Sequence, residues 1–248
     1  MVRLKCTLAL LGISLLNNLG FARQTIDVGA FEKVIISPYI RVTFVEGAEE
    51  KVFIEKCTVD PSKLTVETNG QTLRIYLEGA KETPKWNTNT SKWYDDSDPM
   101  YFGTVVEATI TYTKLKEVSL RGDDVQVFKG LLRANDFRLK VYGNSEVVFE
   151  SVDVHQFRAT LYGDNSLLVK AGSIGSQHYT VYGVSTVDSR NIKSHTGKLT
   201  TYGEANYYVH ASEEIKSTLF GEATLHYKGN PVVSKGMNFG DMRMARLD

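Results

Sequence analysis

The chain has 248 residues, 42% of them apolar, and its 29 basic residues balance its 29 acidic ones. That length holds one large β domain or two small ones, with enough apolar residues for a real core. The balanced charge gives no reason to expect a nucleic-acid partner.

Residues 1–22 read apart from the rest. Arg3 and Lys5 make a basic start, Thr7 to Leu16 is almost wholly apolar, and Gly20 and Ala22 place small residues before a cut at Arg23. This is the pattern of a secretory signal peptide, with an apolar run too short to span a bilayer. The alternative is an N-terminal anchor helix. Removal takes Arg3 and Lys5 and no acid, leaving 27 basic against 29 acidic residues. Cys6 leaves too; it precedes the apolar run, unlike a lipid-attachment cysteine. Cys57 then stands alone, which excludes an internal disulfide. No activating base lies near it in sequence, so it reads as a buried bystander.

Residues 31–79 read as antiparallel strands. Ile40, Val42 and Phe44 alternate with Arg41 and Thr43, and a turn at Gly47, Glu49 and Glu50 leads to Val52 and Ile54. Leu64 to Thr68 and Leu73 to Leu77 flank Asn69-Gly70, a pair that supplies the positive φ of a tight hairpin. Residues 80–103 read as a long exposed loop carrying Trp86, Trp93 and Tyr94, aromatics that either touch a ligand or fold the loop back. Asp95-Asp96-Ser97-Asp98 is an acidic run without the spacing of a calcium loop. Asn89-Thr90-Ser91 matches a glycosylation sequon, which has meaning only in a eukaryotic secretory route. Strand pattern resumes at Val105.

Residues 104–248 carry a repeat. Tyr142-Gly143, Tyr162-Gly163, Tyr182-Gly183, Tyr202-Gly203 and Phe220-Gly221 place glycines 20, 20, 20 and 18 residues apart, with Arg121-Gly122 and Phe239-Gly240 as outer members. A period near 20 in a β-rich sequence predicts a parallel β-solenoid. Glycine is expected at a corner that needs positive φ or close approach between coils. Alternation puts Phe137, Leu139, Val141, Phe157, Ala159, Leu161, Gln177, Tyr179 and Val181 inside, with Ser145, Asn165, Ser185, Ala205 and Ala223 after the glycines.

The odd positions then face outward in columns. Five before glycine stand Arg138, Arg158, His178, Lys198 and Lys216; three before, Lys140, Thr160, Thr180, Thr200 and Thr218; one before, Tyr142, Tyr162, Tyr182, Tyr202 and Phe220. Basic, hydroxyl and aromatic ladders could hold an extended acidic glycan, by stacking rings on sugars and pairing cations with carboxylates or sulfates. The competing reading is packing alone, since identical neighbours stack well in any solenoid. These columns contain no carboxylate; Asp164, Glu204 and Glu222 follow the glycines. No phosphate loop, metal-site cysteine pair or nucleophile elbow is present, and no cofactor or metal is expected.

Several segments resemble the head-GIN domain family of putative auto-transporter adhesins in bacterial envelopes. They are Phe31 to Gly47, the hairpin ending Leu73-Arg-Ile-Tyr-Leu77, Thr113 to Leu120, and Tyr227-Lys-Gly-Asn-Pro231, in that order. The resemblance spans residues 31 to about 240. It implies an all-β, solenoid-like fold, an exported protein of the periplasm or cell surface, and no enzymatic residues. Tyr-Gly corners and the long 80–103 loop depart from the family pattern.

The fold expected is therefore all-β: a signal peptide 1–22, then one domain 23–248 in which an antiparallel part precedes a parallel β-solenoid. The function expected is a non-enzymatic envelope module binding a glycan or another envelope protein. Contact falls to Arg138, Arg158, His178, Lys198, Lys216, the ladder Tyr142 to Phe220, and Trp86 and Trp93. A structural envelope role is the alternative, and a polysaccharide-acting enzyme stands third.

Overall fold

The computed structural model describes residues 23–80 and 100–248. The proposed signal peptide, Trp86, Trp93, Tyr94, the sequon and the Asp95–Asp98 run lie outside the described residues.

Fourteen strands follow in chain order: β1 (Gln24–Asp27), β2 (Lys33–Ile36), β3 (Ile40–Glu46), β4 (Lys51–Cys57), β5 (Leu64–Asn69), β6 (Thr72–Leu77), β7 (Val106–Tyr112), β8 (Glu117–Arg121), β9 (Val125–Gly143), β10 (Glu146–Val169), β11 (Gly172–Ser189), β12 (Lys193–His210), β13 (Glu214–Lys228) and β14 (Val232–Arg246). The last six are successive coils, each hydrogen-bonded in parallel to the next. The expected register holds. Gly143, Gly163, Gly183, Gly203, Gly221 and Gly240 stack on one another, as do the aromatics before them.

The corner glycines answer to two constraints. Gly203 sits at φ 125°, and a Cβ there would lie 2.3 Å from the carbonyl oxygen of Gly183. Positive φ disfavours any side chain, and the coil beneath leaves no room for one. Asn165 ties the corner down: its Oδ1 accepts from the Ser145 N–H at 3.0 Å, and its Nδ2 donates to the Tyr162 carbonyl at 3.1 Å.

Every position assigned inward is buried. Phe137 packs against Phe149 and Phe157, and Phe128 stacks between Phe44 and Phe149. The polar intruder Gln177 is fully buried and bonded at both ends. Its Nε2 donates to the His210 carbonyl at 2.6 Å and its Oε1 accepts from Ser189 Oγ at 2.8 Å. Protein partners thus replace the hydrogen bonds to water that this amide gives up on burial.

The N-terminal part is antiparallel only in part, because β2 pairs with β6 and β8 in parallel. β5 and β6 form the hairpin, with Gly70 at φ 57°, and β1–β4 and β4–β7 are antiparallel. β3 and β4, however, do not pair; β7 inserts between them, parallel to β3. The two walls of the coil β9 thereby continue as separate stacks. One runs through β8, β2, β6 and β5; the other runs through β3, β7, β4 and β1. A turn of local sequence is compatible with either pairing, and only the incoming β7 decides between them. Cys57 is buried at the end of β4, its thiol donating to the Val59 carbonyl at 3.3 Å, and burial pushes its pKa up.

Candidate binding face

The three outward columns lie side by side on one wall, because residues 157–162 and their equivalents form a straight run before each corner. Tyr142, Tyr162, Tyr182, Tyr202 and Phe220 stack at 4.8 to 5.0 Å between centroids, parallel within 4°. Phe239 extends the stack at 5.4 Å. Arg121 lies over the outer face of Tyr142, 5.9 Å from its centroid. Tyr162, Tyr182 and Tyr202 are 37%, 38% and 40% exposed.

This geometry changes what the ladder can do. Parallel rings at that spacing cover one another's faces, so the wall presents ring edges and phenol oxygens, not flat faces for sugars to stack upon. The Thr160, Thr180, Thr200 and Thr218 hydroxyls run beside them, half-buried. Phenol oxygens and threonine hydroxyls make two parallel rows of donors and acceptors at the coil spacing. Burial, then its neighbouring phenols, raise the pKa of Tyr162, so that phenol stays protonated at neutral pH.

The basic column is less free than its sequence suggests. One coil earlier the column continues into Glu117, the position five before Gly122, which takes Arg138 at 3.6 Å and Lys140 at 2.8 Å. The outward columns therefore do contain a carboxylate, contrary to the reading that began at Arg138. Counting back from Gly122 would have found it. Arg158 reaches Asp136 at 3.8 Å and also bonds Gln156. His178 bonds Ser176 at 3.1 Å; burial, then Lys198 and Arg158, lower its pKa, leaving it neutral near pH 7. Lys198 and Lys216 are exposed and make no ion pair among the described residues.

Across the glycine corner runs a fourth column: Asp164, Val184, Glu204, Glu222 and Asp241, in register from coil to coil. Its acids stand exposed just past the glycine corner. They do not face one another across a groove, as a pair of hydrolytic carboxylates must.

A groove of about 670 Å³ lies elsewhere, where the coil shortens after β12. Val154 and Ile174 floor it, and His155, His195, His210 and Lys193 rim it. His155 and His195 occupy one column with Gly175 between them, a spacing of two periods visible in the sequence but not noticed there. Among the described residues no three histidine, cysteine or acidic groups cluster closely enough to hold a metal ion.

A family profile described as putative auto-transporter adhesin, head GIN domain, matches residues 30–231. The chain belongs to this family. Solved structures share the fold at low identity. A putative adhesin from Bacteroides fragilis NCTC 9343 has a TM-score of 0.72 at 15% identity, covering 91% of this chain and 96% of its own. A putative lipid binding protein from Parabacteroides distasonis ATCC 8503 has a TM-score of 0.63 at 15% identity, with 91% and 98% covered. A putative adhesin from Parabacteroides merdae ATCC 43184 has a TM-score of 0.56 at 13% identity, with 90% and 95% covered. No curated protein matches. The match confirms the resemblance carried by Phe31–Gly47 and the later segments, and it stops just before β14.

Proposed function

We propose that the protein is an exported, non-enzymatic envelope module that lays an extended, hydroxyl-rich glycan along the wall of the head-GIN solenoid. The observation that carries this reading is the row of phenol oxygens at Tyr142, Tyr162, Tyr182 and Tyr202 beside the row of hydroxyls at Thr160, Thr180, Thr200 and Thr218, each repeating at the coil spacing over four coils and paired in three of them. A periodic row of donors and acceptors suits a ligand that is itself periodic. The site residues are Tyr142, Tyr162, Tyr182, Tyr202 and Phe220, with Lys198 and Lys216 supplying charge. Arg158 joins when a ligand carboxylate or sulfate displaces its exposed partner Asp136, since such surface pairs are worth only about 0–1 kcal/mol; Arg138 stays with the half-buried Glu117, which Lys140 also holds. His178 contributes as a neutral hydrogen-bonding group. The family name supports a binding role, and the stacking of Asp164, Glu204 and Glu222 in one exposed column, not across a groove, supports one without hydrolysis.

The second reading is a structural envelope protein, favoured by the mutual covering of the rings, which is also what packing alone would produce. A glycan array of residues 23–248 separates the two. Changing Tyr162, Tyr182 and Tyr202 together to Phe keeps the stack and removes the hydroxyls. Binding to acidic glycans that weakens with salt and is lost in the Phe variant supports the proposal. Binding untouched by that variant places the site elsewhere. No binding by a folded protein favours the structural role.

A further inference from the structure

Each coil from β9 to β13 has a hydrogen-bonded neighbour on both sides, whereas β14 is paired only to β13 among the described residues. Its outer edge therefore presents unpaired N–H and C=O groups over a 15-residue strand. The core lies open there as well. Met242 and Met244 continue the interior columns of Ala223 and Leu225, but Met244 is 41% exposed where Leu225 is fully buried. Bare strand edges joined to a bare core are what β proteins ordinarily cover or blunt.

The two arms of this strand differ. The arm before Gly240 is blunted: a bulge shifts its register between Ser217 and Leu219, and Lys235 falls opposite the buried Ser217 on an interior column. Bulges and inward lysines disfavour edge pairing. The arm Gly240–Arg246 pairs regularly with β13 and has neither device.

We propose that a second copy of this chain covers that arm, through a two-fold dimer in which residues 240–244 of the two copies pair antiparallel about Met242. Three observations select that occupant. In this register Asp241 of each copy faces Arg243 of the other, giving two opposite-charge cross-strand pairs on the outer side. Met242 then meets its own counterpart, and Met244 lies opposite Gly240, on the inner side. The two exposed core ends join with large residues against small. Finally, among the described residues the edge strands at the other end of the sheet are β1, with four residues, and β5, with six. They belong to two different walls, so a head-to-tail contact would not match the open coil. Pairing of like with like closes after two copies. This inference concerns a coil beyond the family match and does not depend on what the ladder binds.

Sedimentation equilibrium of residues 23–248 tests it. The expected result is a dimer that Asp241→Arg or Arg243→Asp weakens at least tenfold, and that the double exchange restores. Restoration separates a lost contact from a damaged fold. Met242→Cys is expected to form an intermolecular disulfide on mild oxidation, because opposed antiparallel residues have Cα atoms about 4.5–5.5 Å apart. Val232→Cys, on the blunted arm, is expected to form none. A monomer at every concentration up to about 100 μM overturns the proposal. So does a dimer indifferent to the single exchanges, or one cross-linked through Val232→Cys and not through Met242→Cys.

Discussion

The two ends of the solenoid carry the same columns and meet different fates. At the N-terminal end, β2, β5 and β6 extend one wall and β1, β3, β4 and β7 the other, and Val34, Ile36, Leu73 and Ile75 are essentially without exposure. At the C-terminal end, Met237, Phe239 and Met244 remain exposed. A repeat makes each coil complementary to its neighbours, so it specifies a stack without specifying where the stack ends. Closing an end takes sequence outside the repeat, and residues 23–80 and 100–112 supply it at the N-terminal end.

That contrast can be broken first at the corners. Gly203→Val puts a branched side chain at φ 125° against the Gly183 carbonyl in the middle of the stack. A loss of more than about 3 kcal/mol is expected, read as a fall in thermal midpoint of roughly 10 °C. Removing core side chains sharpens the comparison of middle and end. Leu199→Ala, fully buried, should cost about 2–5 kcal/mol. Met244→Ala, on the open coil, should stay within about 0.5 kcal/mol in denaturant titrations of the monomeric protein. An equal cost for both would mean that the last coil is as well covered as the middle.

A smaller effect is expected at Gln177. Replacement by Leu leaves the His210 carbonyl and the Ser189 hydroxyl without their partner and should cost about 1–3 kcal/mol, again by denaturant titration. The smallest effect concerns pH at His178. Its folded pKa is lowered, so folding favours the neutral ring. That stability is present above the unfolded value near 6.5 and is lost as pH falls below it toward the folded value. Between pH 7.5 and 5.5 the protein should lose more thermal stability than His178→Gln does. An identical pH profile for both would refute the assignment.

The repeat was legible because it is local. A Tyr-Gly pair every 20 residues, with alternation around it, names both the corner and the buried side of each strand. Cys57 and the Asn69-Gly70 hairpin were legible for the same reason. The pairing of β7 between β3 and β4 was not, because it joins residues some sixty positions apart with no signal in either segment. The basic column was read correctly in register yet overestimated in charge. Glu117 and Asp136 belong to other coils, and only stacking brings them to Arg138, Lys140 and Arg158. The groove at His155 and His195 was not legible from the glycine columns, because these histidines, two periods apart, lie outside them.

By itself, then, the sequence determined the period, the inward and outward sides and the family, since each depends on residue type at fixed spacing. The tertiary structure alone decided that the rings show edges and not faces. It also decided which cations are already paired and which end of the stack is left uncovered among the described residues. Those properties depend on the distance between neighbouring coils and on what lies beside each column, and no single coil encodes either.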